Sequence, residues 1–181
     1  MKILKIVGIA LLAIIVLPFI IALFVPKSYT VSVSETINKP RQEVYDFIRI
    51  LDNQKKYSVW VMEDPNLKPE ILGTDGTIGA TQKWNSQNDN VGEGSQTITS
   101  LSIDRMDVAL KFIRPFEGTA KAAYLFQEDG SGKTKLTAEF YSNDRYPFNL
   151  MSYFIGRKMI QEAQTTNLKN VKNILEKSSP Q

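Results

Sequence analysis

Residues 147–177, PFNLMSYFIGRKMIQEAQTTNLKNVKNILEK, decide how the rest of the chain is read. Leu150, Phe154, Ile160, Ala163, Asn167, Val171 and Ile174 fall on one side of a helical wheel, and Leu168 and Leu175 widen that stripe. This spacing predicts an amphipathic helix, with Lys169, Lys172, Glu176 and Lys177 on its solvent side. Asn143, Asp144 and Pro147 supply start signals. A helix of nearly 30 residues is longer than a small domain needs, unless a curved sheet wraps around it.

The preceding sequence supplies strands for that sheet. Runs at 95–103, 106–113, 118–127 and 135–141 carry strand patterning, and NDNVGEG (88–94) and EDGSGK (128–133) break them. Residues 71–72 and 80–84 flank Thr74-Asp75-Gly76-Thr77 and predict a hairpin turned at Asp-Gly. Short connections imply an antiparallel meander. Upstream, YTVSVSETI (29–37) alternates, with Val31 and Val33 on one face. Asn38 is placed to cap a following helix, with Pro40 near its first turn. Val44, Phe47, Ile48 and Leu51 give that helix an apolar stripe, and a short helical turn at 52–56 leads into the loop YSVWVMEDPNLKP (57–69). The expected order is strand, two helices, six strands and one long helix, an α+β domain.

At the other end, an uncharged run opens at Ile6 and closes at Val25, IVGIALLAIIVLPFIIALFV. As a helix these 20 residues reach roughly 30 Å, the thickness of a bilayer's hydrocarbon core. Pro18 is tolerable there because neighbouring groups can satisfy the carbonyl it frees. A cleaved signal peptide has a shorter apolar core, about 7 to 15 residues. No small-x-small cleavage site stands out, since Ala22 is followed by Leu23 and Phe24. The expectation is therefore an uncleaved anchor at 1–25 and a domain at 26–181. Lys2 and Lys5 flank the run on one side and only Lys27 lies close on the other. The positive-inside rule then places the N-terminus in the cytoplasm and the domain outside. There is no Asn-x-Ser/Thr sequon, as suits a bacterial envelope protein. With a linker of only Pro26, Lys27 and Ser28, the domain must ride close to the bilayer.

Composition narrows the chemistry. The chain has no Cys and no His, which removes disulfides, thiolate nucleophiles, a lipoprotein anchor, and the commonest metal ligand and general base. The net charge is +3, and Lys2 and Lys5 supply two of those charges, leaving +1 for the remainder. With no Lys/Arg cluster there, no nucleic-acid partner is expected. No cofactor, metal or catalytic residue is assigned.

In order along the chain, the anchor running into FVPKSYTVSVSETINKP, then VYDFIRILDN, VWVMEDPN, IGATQKWN, VGEGSQTIT, RPFEGTA and PFNLMSYFIGRKM resemble the START-like, or SRPBCC, superfamily. The closest likeness is to its polyketide cyclase/dehydrase-like branch with an N-terminal membrane helix. The resemblance covers nearly the whole chain. It implies a helix-grip fold, a seven-stranded antiparallel sheet wrapped around the C-terminal helix. It also implies an apolar cavity for lipids, sterols, polyketides or hormones, with no universal catalytic residue. Where relatives commonly carry Trp-x-x-Trp after the second helix, this chain has Tyr57 and Trp60.

Strand parity proposes what would line such a cavity. Gln82 with Trp84, and Gln96 with Ile98, share an inward face. So do Met106, Val108, Leu110 and Phe112, then Ala120, Ala122, Tyr124 and Phe126, then Leu136, Ala138 and Phe140. Small Ala120 and Ala122 beside large Tyr124 and Phe126 leave space at one end. Met151, Phe154, Ile155 and Met159 are the expected lid, and Trp60 lies in the loop nearby. The same stripes suit an ordinary packed core. The two glutamines carry more information, because a buried amide left unpaired costs about 1–3 kcal/mol. Each must meet water at a strand end, a neighbour, or a polar group of a ligand. Three functions stay open: binding of a hydrophobic small molecule or lipid; a cyclase or dehydratase using a pocket carboxylate or Tyr124; and an interaction module with a filled core. Glu63 and Asp64 are a possible carboxylate pair near the mouth. Gly92 and Gly94 lack the Lys-Ser/Thr and the helix that a phosphate cradle needs.

Overall fold

The computed structural model describes residues 2–130 and 132–177, so Ser131 in the expected 128–133 break and residues 178–181 of the expected domain lie outside it. The first helix, α1, spans Lys2–Phe24 and is followed by strand β1, Ser28–Ile37. Next come α2 (Arg41–Ile48), a 3-10 turn (Leu51–Asn53), α3 (Gln54–Tyr57) and α4 (Val59–Met62). Six strands follow: β2 (Glu70–Leu72), β3 (Thr81–Asn85), β4 (Glu93–Ser102), β5 (Arg105–Arg114), β6 (Gly118–Glu128) and β7 (Thr134–Asn143). Asn149–Met151 forms α5, Ser152–Gly156 is a π-helical turn, and α6 covers Arg157–Lys177.

The seven strands make one antiparallel sheet in the order β1-β7-β6-β5-β4-β3-β2. A meander leaves β2 and β1 as edges, and the first strand returns to pair with the last. The sheet curls around α6, which packs along β1 and β7 and against α3 and α4. Val171, Leu168 and Leu175 of α6 meet Ile98, Met106, Phe126 and Leu136 of the sheet and Val44, Ile48 and Leu51 from the α2 region in one buried core. This is the α+β helix-grip architecture, with one apolar helix ahead of it.

Local chemistry differs from expectation at four places. Pro40 rather than Asn38 occupies the N-cap of α2, and its carbonyl accepts from Glu43 and Val44. The Asn38 amide instead donates to Glu176 of α6. The β2–β3 connection is a longer loop than an Asp-Gly turn. Asp75 there accepts from the amides of Leu51 and Asp52, so its carboxylate holds the 3-10 turn. Gly76 has φ +74°, and a Cβ there would lie 2.6 Å from Ile50 Cδ1. Lys172 does not point to bulk solvent; it pairs with Glu35 at 3.0 Å and donates to the Thr36 carbonyl, fastening α6 to β1. Finally, the long helix contains the π turn. Its extra residue rotates everything upstream relative to the α6 stripe, and Phe154 comes out exposed.

The apolar helix is docked on the domain. A helix ending before Pro26 has no amide at position 26 to serve the Ala22 carbonyl. Asn149 supplies the donor: its Nδ2 reaches Ala22 O at 2.8 Å and Val25 O at 2.9 Å. Tyr146 Oη donates to Phe19 O at 3.2 Å. Asp144 accepts from Ser142 and, at 2.7 Å, from Ser152, while its amide donates to Lys27 O at 2.7 Å. Tyr29 Oη lies 3.0 Å from Ser152 Oγ. The linker is thus tied on both sides.

Candidate functional site

Register defines the inward face row by row. At the end where α1 leaves, Trp84 pairs with Gly94, Gly94 with Phe112, and Phe112 with Gly118. In the next row Gln82, Gln96, Leu110, Ala120, Ser142 and Tyr29 follow one another across the sheet. Ile98, Val108, Ala122, Phe140 and Val31 form the third. Beyond them lie Met106, Tyr124 and Ala138, then Phe126 and Leu136.

The far two-thirds of this face is closed. Ile98 and Phe126 are fully buried, and Tyr45 stands edge-on to Phe126 with ring centres 5.4 Å apart. A polar cluster follows in the middle. Gln96 Nε2 donates to Gln54 Oε1 at 2.7 Å and to Gln82 Oε1 at 2.6 Å, and Gln82 Nε2 donates to Leu51 O at 3.0 Å. Both glutamines therefore take the neighbour-bonded option, with Gln54 as the partner that strand parity could not find. Tyr57 Oη is buried and lies near Tyr124 and Gln54 without a hydrogen bond to any described residue. Burial pushes both phenols up from the ordinary tyrosine value, so Tyr57 and Tyr124 stay protonated and can donate but not act as bases. Asn170 Nδ2 and Asn167 Oδ1 of α6 bond the backbone at Tyr57 and Val59, which sets the position of α3 and α4.

The end beside α1 is different. Trp84, Phe112, Leu110, Ala120 and Phe140 are only half-buried, and the backbone of α6 runs along β1 and β7. Trp84 and Phe112 meet edge to face at 6.3 Å. Gly94 makes room for the indole, since a Cβ there would lie 2.6 Å from Trp84 Cζ2 and 2.5 Å from the Lys111 carbonyl. Trp60 is half-buried on α4, which leads into the loop that carries Glu63 and Asp64. Glu63 accepts from Asn90 and Asp64 from Ser86, which ties that segment to the β3–β4 turn. Both carboxylates are loop fasteners in this arrangement.

The expected lid is not a lid. Met151, Phe154, Ile155 and Met159 are about half exposed or more and do not close over the sheet. The π turn and the docking of residues 144–149 on α1 turn them outward. One surface concavity lies beside Arg41, Asp104 and Glu128 and another along α6 at 158–166, both outside the space between sheet and helix. Asn149, which sequence reasoning passed over, is the residue that positions α1. Its signal was Pro26, which announces an unserved carbonyl one turn earlier.

No protein-family model matches the sequence, and no curated protein matches it. Solved structures do. A protein of Mesorhizobium loti, MLL2253, superposes with a TM-score of 0.63 at 12% identity, over 84% of this chain and 100% of that one. Ara h 8.0201 gives 0.58 at 12% identity, over 83% and 99%. The di-domain ARO/CYC protein BexL of the BE-7585A biosynthetic pathway gives 0.56 at 12% identity; the match covers 81% of this chain and 50% of BexL. The chain shares the helix-grip fold of these structures. At such identities the likeness establishes the fold and leaves the site to be argued from this chain's own residues.

Proposed function

We propose that residues 1–25 anchor the protein in a membrane, with the N-terminus cytoplasmic, and that the domain at 26–181 binds a hydrophobic small molecule or lipid. The observation that carries this reading is the half-buried apolar surface of Trp84, Phe112, Leu110, Ala120 and Phe140 at the end of the sheet beside α1. Elsewhere the inward face is packed, so the ligand is expected at this open end rather than in an enclosed chamber under α6. A concave apolar surface with a few polar groups at its floor suits an apolar body carrying one polar group. The floor here is the Gln82–Gln96–Gln54 cluster with the Tyr57 hydroxyl, which has no hydrogen bond among the described residues. The cyclase reading is weaker, because Glu63 and Asp64 are engaged in the loop.

The test is mass spectrometry of apolar compounds carried by the full chain extracted into polymer-bounded discs, beside an Ala120→Trp variant that fills the open end. The reading expects a compound enriched with the parent protein and lost with the variant. Identical lipid profiles for the two would refute it.

A further inference from the structure

We propose that the end of the domain from which α1 leaves is itself seated in the bilayer interface, with Phe116, Phe148, Met151, Phe154 and Ile155 among the headgroups and upper acyl chains. The proposal rests on the reading of α1 as a membrane span. These five side chains are 50–63% exposed, an unusual density of large apolar groups for a surface that meets only water. They form one region: the Phe116 and Phe148 rings are 6.0 Å apart, and Phe148 to Ile155 run through α5 and the π turn.

Register puts that region at the level of the membrane. β1 starts three residues after the last residue of the apolar run, and its first residue, Ser28, pairs with Asn143. Tracking the pairs across β7, β6 and β5 brings the β5–β6 turn, with Phe116, to the same end. The latch then fixes the depth. Asn149 holds the carbonyls of Ala22 and Val25, and Tyr146 reaches Phe19 O, five residues or about 7 Å back along α1 from Phe24. Phe24 and Leu23 at the end of α1 are themselves exposed, so the apolar surface runs without a break from helix to domain. A tyrosine at that level sits where aromatic belts meet headgroups, and Phe148 follows it by two residues.

The surrounding charges agree. Lys27, Arg145, Arg157 and Lys158 are exposed around this end, suitably placed for lipid phosphates. Of the acids nearby, Asp144 is occupied by Ser142 and Ser152, Glu162 lies beside Lys158, and Glu117 is exposed next to Phe116. The opposite end of the sheet exposes Asp104, Glu128, Asp129 and Lys133 in its turns, alongside Ile78 of the β2–β3 loop. The β3–β4 turn is polar although it lies at the near end, but four strands separate β3 from β1. The domain therefore sits tilted, deepest on the α1 side. In that pose the α1 side of the open surface, at Ala120 on β6, lies nearest the lipid, and an apolar ligand can enter there without crossing water.

The chain has no Cys, so single-cysteine labelling is clean. Nitroxides at Phe116→Cys and Ile155→Cys are compared with Leu12→Cys within the span and Lys133→Cys at the far end. The full chain is placed in vesicles of phosphatidylethanolamine with a minority of phosphatidylglycerol, and accessibility to oxygen is measured against a water-soluble nickel chelate. The oxygen-to-nickel ratio at 116 and 155 is expected several-fold above that at 133 and approaching that at 12. Labels at 116 and 155 that match 133 while 12 reads lipid would overturn the proposal and leave the anchor standing. A label at 12 that reads water would remove the anchor and the proposal together. A second copy seated on this face would show as spin–spin broadening with low accessibility to both reagents, and would also overturn it.

Discussion

Gln96 sits where three elements meet, and its single amide nitrogen serves two carbonyl oxygens, on Gln54 and Gln82. Replacing it with alanine leaves both buried acceptors without a donor. The expected cost of Gln96→Ala is about 2 kcal/mol, read as a lower denaturant midpoint with an unchanged slope. Asp46 allows a pH test. Its carboxyl is held below its ordinary value of 3.8, chiefly by the bond from Gln42, with Arg49 adding to it. A lowered value means the contribution is complete above the ordinary carboxylate value and fades as pH falls through the lowered one. Asp46→Asn should therefore be slightly less stable than the parent at neutral pH, and thermal melts of the two should converge in acid. The face shared by Gln82 and Gln96 was legible from strand parity. Gln54 was not, because it arrives from a helix 42 positions from Gln96 and nothing local marks it.

The elements themselves were legible because period 2 and period 3.6 are written in the side chains, and all seven strands and the long helix stand where the pattern put them. The π turn was not, since one extra residue in a helical turn leaves composition and spacing almost untouched. It decides where Phe154 and Ile155 point, and so moved them from an expected lid to an outer surface. Two predictions belong to this scale. Gly94→Ala drives a Cβ into the Lys111 carbonyl and the Trp84 ring, so the variant should lose stability and show red-shifted tryptophan emission as the indole is displaced. Asn149→Ala removes the donor from Ala22 and Val25, loosening the linker around Lys27. Trypsin should then cut after Lys27 several-fold faster than in the parent, with the domain's melting little changed.

At the scale of the whole molecule, one asymmetry organises the account. The helix grip is packed under α6 and at the end far from α1, and open and apolar at the end beside it. The apolar residues thus divide into the helix α1, a closed core and an open end beside α1. The open apolar surface at that end was not legible in the sequence, because it depends on where α6 leaves the sheet uncovered. Trp84, one of the chain's two tryptophans, belongs to that end, and its emission reports on it directly. The most direct measurement is a titration of the full chain in detergent with a bromine-labelled fatty acid, followed by tryptophan quenching, for the parent and for Ala120→Trp. The inserted tryptophan is allowed for by comparison with free indole. A hydrophobic site at the open end predicts saturable quenching with a stoichiometry near one for the parent, and loss of the saturable phase in the variant. Quenching that rises linearly without saturation, alike in both proteins, would contradict it.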